Sequence, residues 1–180
     1  MTRRSTVVRG MLPMVVAAIM LSLSACAAGP ATTNGPVGES AATGNGAALR
    51  FTGTTLDGAT LDGSTLSGKP LVLWFWAPWC TTCRAEGPDV ARVAAQYQGR
   101  VSFLGVAGRG EVEAMRAFVT DTGTGGFGHL ADVSGELWTR FGVVSQPAFV
   151  LVDPSGSVQR SVGALDGEQL RTMVEQLAVA

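Results

Sequence analysis

Beyond residue 50, apolar runs of strand length alternate with stretches whose apolar residues recur every three or four positions. Leu71-Val72-Leu73-Trp74-Phe75-Trp76, set off by Gly68-Lys69-Pro70, is unbroken apolar sequence and predicts a central strand covered on both faces. Val101 to Ala107 predicts a second buried strand and Ala148 to Val152 a third; Asp153-Pro154-Ser155-Gly156 turns the third into Val158 to Val162. Between them the period changes to that of a helix. From Cys80 to about Tyr97, the residues Val90, Val93, Ala94 and Tyr97 share a face, with Pro88 predicting a kink. Glu111 to Thr122 turns Val112, Met115 and Val119 inward, Ser134 to Phe141 predicts a short helix, and Asp166 to Ala178 turns Leu170, Met173, Val174 and Leu177 inward. Phe51 to Leu66 alternates Thr with apolar residues around Asp57-Gly58 and Asp62-Gly63, which predicts an entering hairpin. Thr122 to Gly128 is a Gly-rich loop, and His129 is read as a loop residue. The fold class is α/β: a central mixed sheet flanked by helices, with an N-terminal β-hairpin extension.

The first residues follow a different logic. Arg3, Arg4 and Arg9 precede Met11 to Ala25, which carry no charge. This run is shorter than the ~20 residues of a spanning helix and matches the core of an export signal. Leu23-Ser24-Ala25-Cys26 resembles the lipobox of bacterial lipoproteins, in which the Cys is acylated and the signal is cut before it. The alternative is an ordinary secretory signal cut elsewhere in the Ala-rich stretch. Ala27 to Ala48 are small and polar, with Glu39 the one charge and Val37 the one large apolar residue, so they bury too little to offset ordering. The expected organisation is a signal peptide over 1–25, a lipidated Cys26 and flexible tether over 26–48, and one folded domain over 49–180.

Composition narrows the function. There are 14 acids, 13 bases and a net charge of −1, which argues against nucleic acid as partner. Apolar residues at 46% and charged residues at 15% exclude global disorder. With three Cys and one His, most multi-Cys structural zinc sites and a disulfide-stapled framework are excluded.

The chemistry concentrates in Trp76-Ala77-Pro78-Trp79-Cys80-Thr81-Thr82-Cys83, where a strand passes into a helix. Two Cys three apart at a helix start lie on one side of the first turn, within bridging range. Cys80 sits where free N–H groups converge and the helix dipole is positive, which favours its thiolate and makes it the nucleophile. Cys83, one turn deeper, resolves the mixed disulfide.

Strand, Trp-Cys-x-x-Cys and kinked helix resemble the thioredoxin superfamily. Leu56-Asp57-Gly58, Gly68-Lys69-Pro70, Phe141-Gly142-Val143, Gln146-Pro147 and Val152-Asp153-Pro154-Ser155-Gly156 fall in the order of its extracytoplasmic branch, which includes TlpA, ResA, CcmG and DsbE. Within the branch, the resemblance is to actinobacterial DsbE- and DsbF-type lipoprotein thiol–disulfide oxidoreductases. Cytoplasmic thioredoxins carry an Asp six residues before the nucleophile, where this chain has Trp74. The branch instead places a Glu three past the second Cys, and Glu86 matches it. The resemblance makes Glu86 a proton relay for Cys83; the other reading is an acid that merely complements the helix dipole. It also makes Pro147 a cis-proline facing the site, positioning substrate through Gln146. Trp76 is read as core, Trp79 as a substrate-contacting rim residue, and Arg84 as a surface residue within reach of the thiolate.

Three functions compete at this stage. The first is an extracytoplasmic disulfide donor to exported Cys-containing proteins, recharged by a membrane quinone-linked thiol oxidase. The second is a reductase for apocytochrome c or other exported proteins, supplied by a thiol reductant. The third is a copper or zinc carrier, which would need Cys80, Cys83, His129 and a carboxylate to converge. Thr81-Thr82 does not decide direction; the oxidising compartment favours the donor. No cofactor is implied, because the two sulfurs carry the electrons. A peroxiredoxin is disfavoured, since Ala77 stands where its Thr or Ser would be.

Overall fold

The computed structural model describes residues 46–179. The proposed signal, Cys26 and most of the tether lie outside the described residues. The described chain opens with a 3-10 turn, Ala47–Leu49, whose Leu49 is buried. A hairpin follows: β1 (Thr52–Thr54) pairs antiparallel with β2 (Thr60–Asp62), turning at Gly58 with φ 87°. Only the first Asp-Gly pair makes the hairpin turn. Asp62 instead caps a 3-10 turn, Gly63–Leu66, by accepting from the Ser64 N–H at 2.9 Å.

The main sheet has five strands in the order β5-β4-β3-β6-β7. β3 (Leu71–Trp76) is central and lies parallel to β4 (Ser102–Gly108), which lies parallel to β5 (Gly128–Asp132). β6 (Ala148–Val152) runs antiparallel to β3, and β7 (Val158–Val162) antiparallel to β6. All six residues of β3 are buried, because both sheet faces are covered. Alternation sorts them. Leu71, Leu73 and Phe75 join Leu49, Phe51, Leu130, Trp138 and Val150 on one face. Val72, Trp74 and Trp76 join the other face, where three helices pack: α1 (Thr81–Gln96) through Val90 and Val93, α2 (Val112–Thr122) through Met115 and Phe118, and α4 (Gly167–Ala178) through Leu170, Val174 and Leu177. The short α3 (Glu136–Arg140) covers the first face through Leu137 and Trp138.

One expectation is corrected. His129 is not on a loop: Gly128–Asp132 is the edge strand β5, and His129 is buried. A run with Gly before it and His and Asp inside it carries little strand propensity; pairing with β4 makes it a strand. The imidazole lies over Gly105, its neighbour on β4, where any Cβ would collide with the ring. Its Nε2 bonds the Thr124 carbonyl oxygen at 2.9 Å, and burial holds its pKa below the ordinary value. The hairpin also closes this sheet edge, with Thr55 bridging Leu130 and the Leu56 N–H donating to the His129 carbonyl at 2.9 Å.

Candidate active site

β3 delivers the chain to the sheet end at Trp76, and α1 leads it away from Thr81. The intervening turn is closed by the Cys80 N–H donating to the Ala77 carbonyl at 3.0 Å. Cys80 is the N-cap of α1: its backbone is extended (φ −75°, ψ 108°), and its Sγ accepts the Cys83 N–H at 3.0 Å. A cap normally requires an oxygen acceptor, and here a sulfur fills that role. Cys80 and Cys83 are joined as a disulfide with Cα atoms 5.3 Å apart. The two differ in access: Cys80 is 6% exposed, while Cys83 is fully buried. Only Cys80 offers an edge to an incoming sulfur. Pro88 lies inside α1 without ending it.

Trp76 is fully buried and stacks on Phe118 with ring centroids 4.1 Å apart. Such a pair adds ~1 kcal/mol to simple burial. Trp79 points outward, 60% exposed, and its Nε1–H donates to the Arg109 carbonyl at 2.7 Å. Arg84 is half-exposed; it pairs with Asp121 at 3.0 Å and lies over the Phe118 ring, so its charge is already partnered.

Glu86 is buried on the inner face of α1, beyond the first turn, so it does not serve as a dipole-complementing terminal acid. Oε1 accepts the Trp74 indole N–H at 2.7 Å, and Oε2 accepts the Leu165 N–H at 3.3 Å. Burial raises its pKa to about 7, against the opposing pull of those two hydrogen bonds. Trp74 therefore occupies the strand position noted above and also orients the carboxylate. Nothing local in the sequence points to Leu165, which is 79 residues from Glu86.

The Gln146–Pro147 bond is cis, and Pro147 is buried. Register places it: Ala148 pairs with Phe75, so Gln146 and Pro147 continue past β6 beside the turn that carries Cys80. Gln146 is half-buried, and its Oε1 accepts from Arg109 Nη1 at 3.1 Å. Cys80, Cys83, Trp79, Gln146 and Pro147 are thus gathered at one sheet end, with Glu86 one turn deeper. His129 stands apart from the disulfide, held by Thr124, and among the described residues no three His, Cys, Asp or Glu side chains are placed to hold a metal ion. A surface cavity of about 1050 Å³ lies between the N-terminal segment and α3, lined by Arg50, Asp62, Glu136 and Arg140, and includes neither sulfur.

Arg109 escaped the sequence reading. The signal that marks it is an Arg between two Gly at a strand end, Gly108-Arg109-Gly110.

The AhpC/TSA family model matches residues 45–161. The chain is 43% identical over 132 residues to the soluble secreted antigen MPT53 of Mycobacterium tuberculosis, covering 72% of this chain and 75% of that one. Among solved structures it resembles DsbF of Mycobacterium tuberculosis in mixed oxidised and reduced forms, with a TM-score of 0.70, 46% identity, and coverage of 72% of this chain and 96% of that one. It also resembles a secreted Mycobacterium tuberculosis disulfide oxidoreductase homologous to E. coli DsbE, with a TM-score of 0.69, 42% identity, and coverage of 72% and 98%.

Proposed function

This chain belongs to the AhpC/TSA family and is a thiol–disulfide oxidoreductase, and we propose that it works outside the cytoplasm, donating disulfides to exported Cys-containing proteins. A client thiolate attacks Cys80 Sγ, the Cys80–Cys83 bond breaks, and Cys83 leaves as a thiolate. A second client thiolate then attacks the client sulfur of the mixed disulfide and releases the Cys80 thiolate. The client loses two electrons and two protons; Cys80 and Cys83 gain them. A quinone-linked thiol oxidase in the membrane removes them again.

The observation that carries the donor direction is Cys80 at the α1 N-cap, its sulfur accepting the Cys83 N–H. Hydrogen bonding and the helix dipole favour the thiolate, and so the reduced form. A stabilised reduced form makes a stronger oxidant. Cys83, fully buried, lacks solvent for its charge, and burial disfavours a thiolate there. Glu86 supplies and removes the Cys83 proton, with a pKa of about 7 that keeps both of its forms populated at neutral pH. Pro147 and Gln146 position the client strand, and Trp79 lines its path.

The test is the reduction potential, measured by equilibration with glutathione. A donor is expected well above the value of about −270 mV typical of thioredoxin, toward the range of about −180 to −120 mV of oxidising members. A value near the lower figure would overturn the donor role and leave the reductase for apocytochrome c or other exported proteins.

Anchoring is proposed through Cys26, on Leu23-Ser24-Ala25-Cys26 following an uncharged run. MPT53 is described as soluble and secreted, so the alternative is release without lipid. In a cell fractionation, the native chain is expected in the membrane fraction and Cys26→Ala in the medium or soluble fraction. Native protein found only in the medium would overturn the anchor.

A further inference from the structure

Arg109 is the one residue other than Gly with positive φ among the described residues, at 55°. Left-handed backbone is costly for a residue that carries a side chain, a cost Gly would avoid. The flanking positions are closed to larger residues. A Cβ on Gly108 would stand 2.5 Å from Trp138 Nε1, and one on Gly110 2.5 Å from Pro78 Cγ. The Gly108–Gly110 segment is thus pressed between α3 and the turn that carries Cys80, with an Arg retained at its strained centre.

That Arg is fully engaged. Its carbonyl accepts the Trp79 indole N–H at 2.7 Å. Its Nη2 donates to the Val144 carbonyl at 2.8 Å and its Nη1 to Gln146 Oε1 at 3.1 Å. Its guanidinium lies over the Trp138 ring, 4.7 Å from the centroid. One residue therefore ties the Trp79 rim to the loop before Pro147. Trp79 and Val144, 60% and 78% exposed, are two of the most exposed large apolar side chains described. The chemistry also sets a direction. A guanidinium has only donors, so the Gln146 amide must turn its oxygen to Arg109. The amide NH2 is left without a protein partner among the described residues and is free to donate.

We propose that Arg109 is a positioning residue for client recognition: it holds the Trp79 rim and the 144–146 loop in one register, and it fixes the Gln146 amide so that its NH2 donates to a backbone carbonyl of an extended client peptide. The role rests on the client being a protein. Failure of that reading appears in the native protein, as no preference for an unfolded protein thiol over a small one. Failure of the Arg109 role appears only in the variants.

The test compares oxidised native protein, Arg109→Ala, Gln146→Ala and the double variant. Second-order rate constants are measured with a reduced, unfolded Cys-bearing protein and with dithiothreitol, which has no peptide carbonyl to accept from the Gln146 NH2. Arg109→Ala is expected to slow the protein client about tenfold, the equivalent of ~1.4 kcal/mol, and to leave dithiothreitol within about twofold. Gln146→Ala is expected to slow the protein client by the same factor, and the double variant to bring no further loss. An unchanged client rate, a parallel loss with both thiols, or additive losses would overturn the proposal. Should Arg109→Ala fail to fold, Gln146→Glu decides: the carboxylate keeps the Arg109 contact but has no donor, so the client rate falls. A rate with both thiols equal to the native one overturns the role.

Discussion

Cys80→Ala abolishes disulfide exchange, and Cys83→Ala stops it halfway. The loss for Cys80→Ala is expected to reach at least about 1,000-fold, the order seen when a covalent nucleophile is removed. The remaining Cys83 cannot substitute, because it is fully buried where Cys80 is 6% exposed. Reduced Cys83→Ala still presents the Cys80 thiolate, which attacks a disulfide-bonded protein and forms a mixed disulfide. Without Cys83 the chain has no sulfur of its own at the site to resolve it, so the adduct accumulates at one client per chain. Non-reducing electrophoresis reads the adduct, and dithiothreitol removes it. An adduct formed by Cys80→Ala but not by Cys83→Ala would reverse the roles of the two sulfurs.

Glu86→Gln slows exchange about 100-fold at pH 7, a modest share of what positioned acid–base groups contribute. The native rate profile bends near pH 7, where Glu86 titrates, and the variant profile loses that bend. A bend that survives the substitution assigns the titration to another group. Stability provides a second reading, with a definite sign. The folded pKa of Glu86 is about 7, above the ordinary 4.5. Its contribution to stability is therefore fully present below 4.5 and is lost as pH rises through about 7. Glu86→Gln removes this dependence. Its melting temperature, compared with the native protein's, rises between pH 5 and pH 8 in the oxidised form. A constant offset in the other direction accompanies the change, because a Gln NH2 presented to the Leu165 N–H places two donors face to face. His129 pulls the native curve the opposite way. Its lowered folded pKa gives stability that is present above 6.5 and lost on acidification, and the difference between native protein and variant cancels it.

The strands whose apolar character is continuous were legible. Leu71–Trp76 and Ala148–Val152 lie where the pattern places them, as do α1, α2 and α4 within a residue or two. Each buries its apolar residues against neighbours, so composition and period both report the environment. Phe118 was overlooked in α2, although it is the ring on which Trp76 stacks. β5 was not legible at all. Gly128-His129-Leu130-Ala131-Asp132 has no strand pattern of its own, and only hydrogen bonding to β4 makes it one. At the site, Cys80 and Cys83 were legible because a helix start brings residues three apart together without help from the rest of the chain.

Local chemistry alone thus specified the disulfide pair, the strand that presents it and the helix that polarises it. What only the tertiary structure decided is everything reached across the sheet. Trp74 and Leu165 meet at Glu86, Arg109 meets Trp79, Val144 and Gln146, and His129 lies against Gly105. Helical and strand periods relate residues a few positions apart. Contacts between residues 12 or more apart depend on which strands pair and in what register, and that is settled only when the five strands close into one sheet.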